Sequence, residues 1–159
     1  MLDKIDKKLL ELLQSDATLN IAALADLVGL SATPCWKRVK RLEEDGTILK
    51  RVALVDRAKV GLKVTIFVSI KTNEHDAEWL ENFARVASTF PEIVELYRMS
   101  GDVDYLMKVV SEDVEGYDRF YKRLIKAVRL TDVSSAFAME QIKYSTALPV
   151  RASAVAEGR

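Results

Sequence analysis

The sequence holds almost none of the residues that build disulfide frameworks and soft-metal sites. Among its 159 residues there is one cysteine, Cys35, and one histidine, His75. A single cysteine excludes an internal disulfide framework and any metal site that needs several thiolates, and a single histidine excludes a histidine-rich metal site. We therefore expect neither a bound metal nor a cofactor.

Long apolar runs and an excess of charge of one sign are also absent. No apolar stretch approaches the roughly 20 residues of a membrane-spanning helix, and the first residues, MLDKIDKK, lack the apolar segment of a signal peptide. Lysine plus arginine and aspartate plus glutamate each number 24, so the formal net charge is zero. These features predict a cytoplasmic protein with no membrane partner, in which any contact with nucleic acid must come from a local basic patch.

Three predicted N-terminal helices surround such a patch. Apolar residues at helical spacing predict one helix over 3–15, and Asn20 and Gly29 are suited to begin and end a second. Ser31 is suited to cap a third helix that ends at Gly46. Two short helices joined by a tight turn containing glycine are typical of a helix-turn-helix.

The third predicted helix has an apolar inner face and a polar outer face. Cys35, Val39 and Leu42 gather on one side at 100° per residue, which predicts packing against the first two helices. The outer side chains are of the types that donate to base edges and phosphates in a major groove. The candidate DNA-binding residues, with two from the segment that follows, are Ser31, Thr33, Trp36, Lys37, Arg38, Lys40, Arg41, Lys50 and Arg51.

That following segment, TILKRVALV at 47–55, is typical of a short β-hairpin or wing with Lys50 and Arg51 at its tip, where both would contact the phosphate backbone. For the charge run taken alone, the alternative is a solvated helix face. For Trp36 the alternative to a DNA contact is partial packing into the core. The polar stretch DRAKVGLK at 56–63 predicts a linker.

The rest of the chain shows the spacing of strands and helices in the order βαββαβ. The predicted strands are 64–71, 93–99, 105–110 and 133–143, and the predicted helices run from Asp76 to Pro91 and over 114–128. This order predicts an α+β, ferredoxin-like (ACT-like) domain with a four-stranded antiparallel sheet and both helices on one face. The other face, including Phe67 and Ser69, would be open in a monomer, so we expect dimerisation by sheet packing.

Two motifs in combination resemble the Lrp/AsnC family of bacterial and archaeal transcription regulators. They are LSATPCWKRVKRLEEDGTI at 30–48 and SGDVDYLMKV at 100–109. The similarity spans about residues 2–150, with one departure, Ala32, where the family often has proline. The resemblance implies a winged helix-turn-helix over 1–55, a linker over 56–63 and an amino-acid-sensing domain over 64–150, followed by a tail over 151–159 that we expect to be disordered.

The resemblance also implies partners and a second site. The partners are double-stranded DNA, a second copy of the chain in dimers that assemble further to octamers, and an amino acid or related metabolite as effector, in a nucleoid-associated protein. The effector would bind at the turn 100–105, in a cleft between subunits. The candidate effector-binding residues are Met99, Gly101, Asp102, Val103, Asp104, Tyr105, Ser134 and Ser135.

The residues of the turn support two interpretations by themselves. Consecutive N–H groups around Gly101 could hold a carboxylate, and Asp102 or Asp104 could bind an ammonium group. Alternatively, Gly101 permits a positive φ and the two aspartates shape a hairpin turn. For Ser134 and Ser135 the alternative is that they are ordinary strand hydroxyls.

Two further classes of function are compatible with parts of the sequence. An enzyme on this architecture, similar to some tetrapyrrole-modifying decarboxylases, would need acid–base groups in a pocket, and the sequence offers no nucleophile–base pair, phosphate-binding glycine loop or metal cluster. An assembly module would use the helix-turn-helix to contact protein. The basic outer face favours a non-enzymatic, DNA-binding regulator, and the resemblance implies that an effector changes its DNA binding or assembly.

Overall fold

The computed structural model describes residues 2–72 and 77–150. The elements are α1 (Lys4–Ser15), α2 (Ile21–Val28), α3 (Ala32–Glu44), β1 (Val64–Lys71), α4 (Ala77–Ala87), β2 (Ile93–Arg98), β3 (Tyr105–Ser111), α5 (Val114–Ala127) and β4 (Asp132–Phe137). None of the helices in these ranges has the length and apolar character needed to cross a membrane. His75, the predicted helix start at Asp76 and the predicted tail over 151–159 lie outside the described residues.

The chain forms two compact units. The first contains Met1–Leu54 together with the segment that begins at Lys143, and the second is Val55–Ile142. The sequence predicts domains over 1–55 and 64–150, joined by a linker over 56–63. Residues 143–150 join the first unit, where the Gln14 side-chain amide accepts from the Leu148 N–H at 2.6 Å and donates to its carbonyl at 3.2 Å.

The first unit contains the three predicted helices. At the start of α1 the Asp3 side chain accepts from the Asp6 N–H and the Asp6 side chain accepts from the Asp3 N–H, a reciprocal cap that fixes the helix start. The Asn20 side chain caps α2, and Gly29 ends it with a φ of 69°. The buried residues that hold the three helices together are Leu9, Leu24, Ala25, Cys35 and Val39.

The segment 47–55 differs from the predicted hairpin. The Ile48 N–H donates to the Leu42 carbonyl and closes the turn after α3, but residues 49–55 belong to no helix or strand. A hairpin requires two strands that pair with each other. In this chain the apolar side chains of the segment are exposed, among them Leu49 at 89%, so the predicted hairpin pairing is wrong.

The second unit is the predicted four-stranded sheet. The strand order is β2-β3-β1-β4 and every neighbouring pair is antiparallel, which is the order of a ferredoxin-like fold. Ile66, Val68 and Ile70 of β1 share one core with Phe83 of α4 and Phe120 of α5. Both helices therefore cover the same face of the sheet, as predicted.

Three details of this unit correct the prediction. Strand β4 ends at Phe137, opposite Ile66, where the sequence predicts residue 143; the Ala138 N–H still donates to the Thr65 carbonyl, next to the start of β1 at Val64. Trp79 is buried in the core although the apolar pattern did not include it, and Ile125, predicted on the inner stripe of α5, is 43% exposed. The predicted linker forms a turn in which the Arg57 side chain donates to the Leu62 and Lys63 carbonyls.

Candidate functional site

Helix α3 presents its predicted outer face to solvent. Cys35, Val39 and Leu42 are buried, whereas Thr33 and Lys37 on the opposite side are exposed. Burial raises the pKa of the Cys35 thiol, which fits the predicted role of a core residue that does not react. Ser31 precedes the helix at the N-cap position, but its side chain makes no capping hydrogen bond.

Trp36 and Lys40 form an exposed pair on this face. The indole is 47% exposed, so packing into the core is not its main environment. The Lys40 Nζ lies 5.0 Å from the centroid of the Trp36 ring, within the range of a cation–π interaction, and 3.5 Å from a carboxylate oxygen of Glu44. A cavity of about 520 Å³ beside the pair is also lined by Asn20, Glu43 and Arg51. The pair thus presents an apolar edge next to a positive charge at the surface.

Arg38 and Arg41 are bound to aspartates of α1 and its cap. Arg38 Nη1 donates to Asp3 Oδ2 at 2.6 Å and to Asp6 Oδ1 at 2.8 Å, and Arg41 Nη2 donates to Asp6 Oδ2 at 2.6 Å. We call these four residues the Asp6 cluster. The hydrogen bonds that Arg38 donates to Asp3 and Asp6 raise the pKa of its guanidinium above the ordinary value. Both arginines were predicted to bind DNA, and the structure shows that each is also an internal ion-pair partner.

Of the remaining basic candidates, one is paired with a carboxylate and two are not. Arg51 Nη2 donates to Glu43 Oε1 at 2.9 Å, so its guanidinium returns to the end of α3. Lys37 and Lys50 are exposed and have no ion-pair partner within the described ranges. The nine predicted residues therefore include two classes: charges that are open to a ligand, and charges that carboxylates already neutralise.

The predicted effector turn connects β2 to β3 beside the end of β1. The Met99 N–H donates to the Asp104 carbonyl at 2.8 Å, and the Asp104 N–H donates to the Ile70 carbonyl at 3.0 Å. The Asp104 carboxylate accepts from the Thr72 N–H at 2.8 Å, which fixes it to the end of β1. Asp104 therefore shapes the turn, as the alternative interpretation requires.

Gly101 and Asp102 are the open part of the turn. Gly101 has a φ of 119°, a conformation that side chains rarely allow. Asp102 and the partly buried Val103 follow it. The structure gives the exposed Asp102 carboxylate no hydrogen bond or ion pair with any described residue, so it is the acid of this turn that remains available to a cationic group.

Three of the predicted effector residues do not share one surface. Tyr105 is 7% exposed, and its ring packs in the core with centroids 5.0 Å from Phe83 and 5.7 Å from Trp79. Ser134 pairs with Ser69 and Ser135 with Val68, so the two serines point to opposite faces of the sheet. The Ser135 hydroxyl is hydrogen-bonded to the Tyr117 hydroxyl of α5 on the helix-covered face.

The site residues that the sequence did not indicate are acidic or distant along the chain. Asp3 and Asp6 bind the arginines of α3, Thr72 binds the turn, and Tyr117 binds Ser135. In the sequence prediction Asp3 enters only as the first residue of the helix over 3–15. Among the residues described, no group of three or more histidine, cysteine, aspartate or glutamate side chains is arranged to hold a metal ion.

Comparisons with known proteins cover both units. The family model for the Lrp/AsnC ligand binding domain matches residues 65–148, and a model for a winged helix-turn-helix DNA-binding domain matches residues 2–48. The DNA-binding transcriptional activator DecR of Escherichia coli (strain K12) is 56% identical over 151 residues, which cover 94% of this chain and 99% of DecR. The glutamate uptake regulatory protein of Zymomonas mobilis is 49% identical over 149 residues, covering 94% and 91% of the two chains.

Solved structures of transcriptional regulators also match this chain over nearly its whole length. An AsnC family transcriptional regulator from Agrobacterium tumefaciens superimposes with a TM-score of 0.91 at 60% identity, covering 94% of this chain and 97% of that one. The complex of the transcriptional regulator NMB0573 with L-Met, from Neisseria meningitidis, has a TM-score of 0.89 at 30% identity, again covering 94% and 97%.

Proposed function

The chain belongs to the Lrp/AsnC family and is a DNA-binding transcriptional regulator, and from this premise we propose that the outer face of α3 is its DNA-contacting surface. The observation that carries the proposal is the exposure of Lys37, Trp36 and Lys40 on one side of a helix whose other side is buried. A helix of this kind fits a major groove, where its lysines meet phosphates and its apolar edge meets a sugar or a thymine methyl group.

The proposed assembly on DNA is a dimer or a higher oligomer. Two copies of α3 would occupy successive major grooves about 34 Å apart on a roughly palindromic site. The open sheet face around Phe67, which is 40% exposed, supports association by sheet packing. Further assembly to octamers would let DNA wrap around or loop between several dimers.

The proposed effector is an amino acid, bound at the turn 100–105. The N–H groups around Gly101 supply donors for an α-carboxylate, and the free carboxylate of Asp102 supplies an acceptor for an α-ammonium group. Two relatives support this class of ligand: one is named as a regulator of glutamate uptake and the other is a complex with L-Met. Binding at a subunit contact would shift the packing of subunits and change the relative placement of the DNA-binding heads.

A matched pair of lysine variants tests the DNA-contacting surface. Lys37→Gln removes an open charge from α3, and Lys126→Gln removes an exposed charge from α5 in the other unit. The labelled duplex is the DNA upstream of the protein's own gene, titrated at several salt concentrations. We expect Lys37→Gln to reduce the slope of log K against log salt by about 1. We expect Lys126→Gln to leave it unchanged, and equal effects of both variants would contradict the proposal.

The same experiment addresses the alternative of a protein-assembly module. The double variant Lys37→Glu/Lys40→Glu places two acidic side chains on the outer half of α3 and leaves the ion pairs of the Asp6 cluster intact. We expect it to lose DNA binding while its sedimentation coefficient stays that of the parent oligomer. Retained DNA binding, or a loss of assembly together with it, would favour contacts with protein.

A further inference from the structure

Asp6 is a buried carboxylate whose two oxygens bind different arginines of α3. Its side chain is 1% exposed. Oδ1 accepts from Arg38, and Oδ2 accepts from Arg41 and from the Asp3 N–H. The three hydrogen bonds that this carboxylate accepts therefore come from the N-terminus of α1 or from α3.

Folding stability alone is a weak explanation for this arrangement. A buried ion pair loses hydration energy, and well-packed apolar residues of similar volume are often at least as stabilising. What a buried carboxylate adds is direction, because it fixes the side-chain conformation of each guanidinium that donates to it. Arg38 has little of its guanidinium left for a ligand, because it binds Asp3 as well as Asp6 and its side chain is only 28% exposed.

Arg41 is in a different position. Its Nη2 is bound to Asp6, but the side chain is 52% exposed, and a guanidinium has five N–H donors. It lies four residues after Lys37 on the half of α3 that faces away from Cys35 and Leu42. The ion pair therefore holds one edge of the guanidinium, and the other donors have no hydrogen-bond partner among the described residues.

We propose that Asp6 is a positioning residue for DNA binding, which orients the Arg41 guanidinium so that its remaining N–H donors meet base edges in the major groove. This rests on the proposed function, in which Arg41 belongs to the DNA-contacting surface. Orientation and charge have opposite effects when Asp6 is removed. Loss of a negative charge strengthens binding to any duplex, whereas loss of orientation weakens binding to the specific duplex only.

The test is a double-mutant cycle on the full-length protein with Asp6→Asn, Arg41→Gln and the combination. The measured quantity is the ratio of affinities for the duplex upstream of the protein's own gene and for a random-sequence duplex of equal length, well below the unfolding temperature. We expect Asp6→Asn to lower the ratio about tenfold, as for one well-oriented arginine contact, and to lower it no further in the Arg41→Gln background. Asp3→Asn, which affects Arg38 but not Arg41, is the control and should change the ratio by less than about twofold.

Three outcomes would overturn the proposal. In the first, Asp6→Asn lowers the melting temperature and leaves the ratio unchanged, which shows a role in folding only. In the second, its effect on the ratio is the same with and without Arg41, which shows action through helix packing. In the third, Arg41→Gln has no effect, so Arg41 is not part of the DNA-contacting surface, while an intact response to Lys37→Gln would show that the surface itself is correctly placed. If Asp6→Asn does not fold, Asp6→Glu, which keeps the charge but moves the carboxylate by one methylene, takes its place in the cycle.

Discussion

Lys37 and Arg38 are neighbours in sequence, yet their charges meet different surroundings. Arg38 donates to two aspartates, whereas Lys37 is exposed and unpaired among the described residues. The helical pattern predicts which face each side chain lies on. The pattern carries no information about Asp3 and Asp6, which lie more than 30 residues away and become neighbours only when α1 packs against α3.

Arg38 is therefore expected to contribute to folding more than to DNA attraction. Arg38→Gln removes two charge-assisted hydrogen bonds and should lower the free energy of unfolding by about 2 kcal/mol, as measured by urea denaturation. The salt dependence of DNA binding should stay within error of the parent, because the aspartates already compensate this charge. A slope reduced as much as in Lys37→Gln would show that Arg38 also neutralises a phosphate.

The Asp6 cluster also predicts a pH dependence. Burial raises the pKa of Asp6, but the hydrogen bonds from Arg38, the Asp3 N–H and Arg41 outweigh it, so the pKa lies below its usual value. A carboxylate with a lowered pKa stabilises the folded state fully above the unfolded pKa of about 4, and this contribution disappears as the pH falls through the folded value. The melting temperature of the parent should fall steeply below about pH 4. The melting temperature of Asp6→Asn should fall less steeply over the same range. Parallel declines would contradict this origin.

At the scale of elements, locally determined features were predicted well. The starts of α1 and α2 and the end of α2 depend on Asp3, Asn20 and Gly29, which act within their own helices. The end of β4 and the lack of a hairpin at 47–55 depend on whether a second strand is present to pair with. Periodicity within one segment cannot report that partner, which is why these two predictions were wrong.

The turn at Gly101 predicts a cost for any side chain there. With a φ of 119°, Gly101→Ala should lower the free energy of unfolding by about 1 to 3 kcal/mol through backbone strain. Nothing lies within 4 Å of the position where its Cβ would be, so a steric clash is not the reason. Ser100→Ala, a neighbouring exposed residue, is the matched control for urea denaturation. Equal stability of both variants would mean that the turn adapts without strain.

On the scale of the whole molecule, the chain passes between its two units twice. One passage is at Leu54–Val55 and the other is at Ile142–Lys143, because the C-terminal segment returns to the DNA-binding unit. The sequence predicts a linker over 56–63 and includes residues 143–150 in the C-terminal domain. A change in the sensor unit can therefore reach the DNA-binding unit through two covalent connections.

The open sheet face predicts a variant that separates assembly from folding. Phe67 lies on β1 opposite the face that carries Val68, between Lys108 of β3 and Ala136 of β4. Phe67→Glu places a charge on that face, so we expect smaller species in sedimentation velocity with an unchanged far-ultraviolet circular dichroism spectrum. Phe67→Leu keeps the surface apolar and should assemble as the parent does. Assembly of Phe67→Glu equal to the parent would place the interface elsewhere.

The most direct test of an effector-controlled DNA-binding regulator is one titration series. The labelled duplex upstream of the protein's own gene is titrated with protein in the presence of each free amino acid in turn, while sedimentation of the same samples reports the assembly state. We predict salt-sensitive binding to the duplex and, with at least one amino acid, a change in DNA affinity or in assembly. An amino acid that binds tightly while both DNA affinity and assembly stay constant would contradict the coupling between the two units.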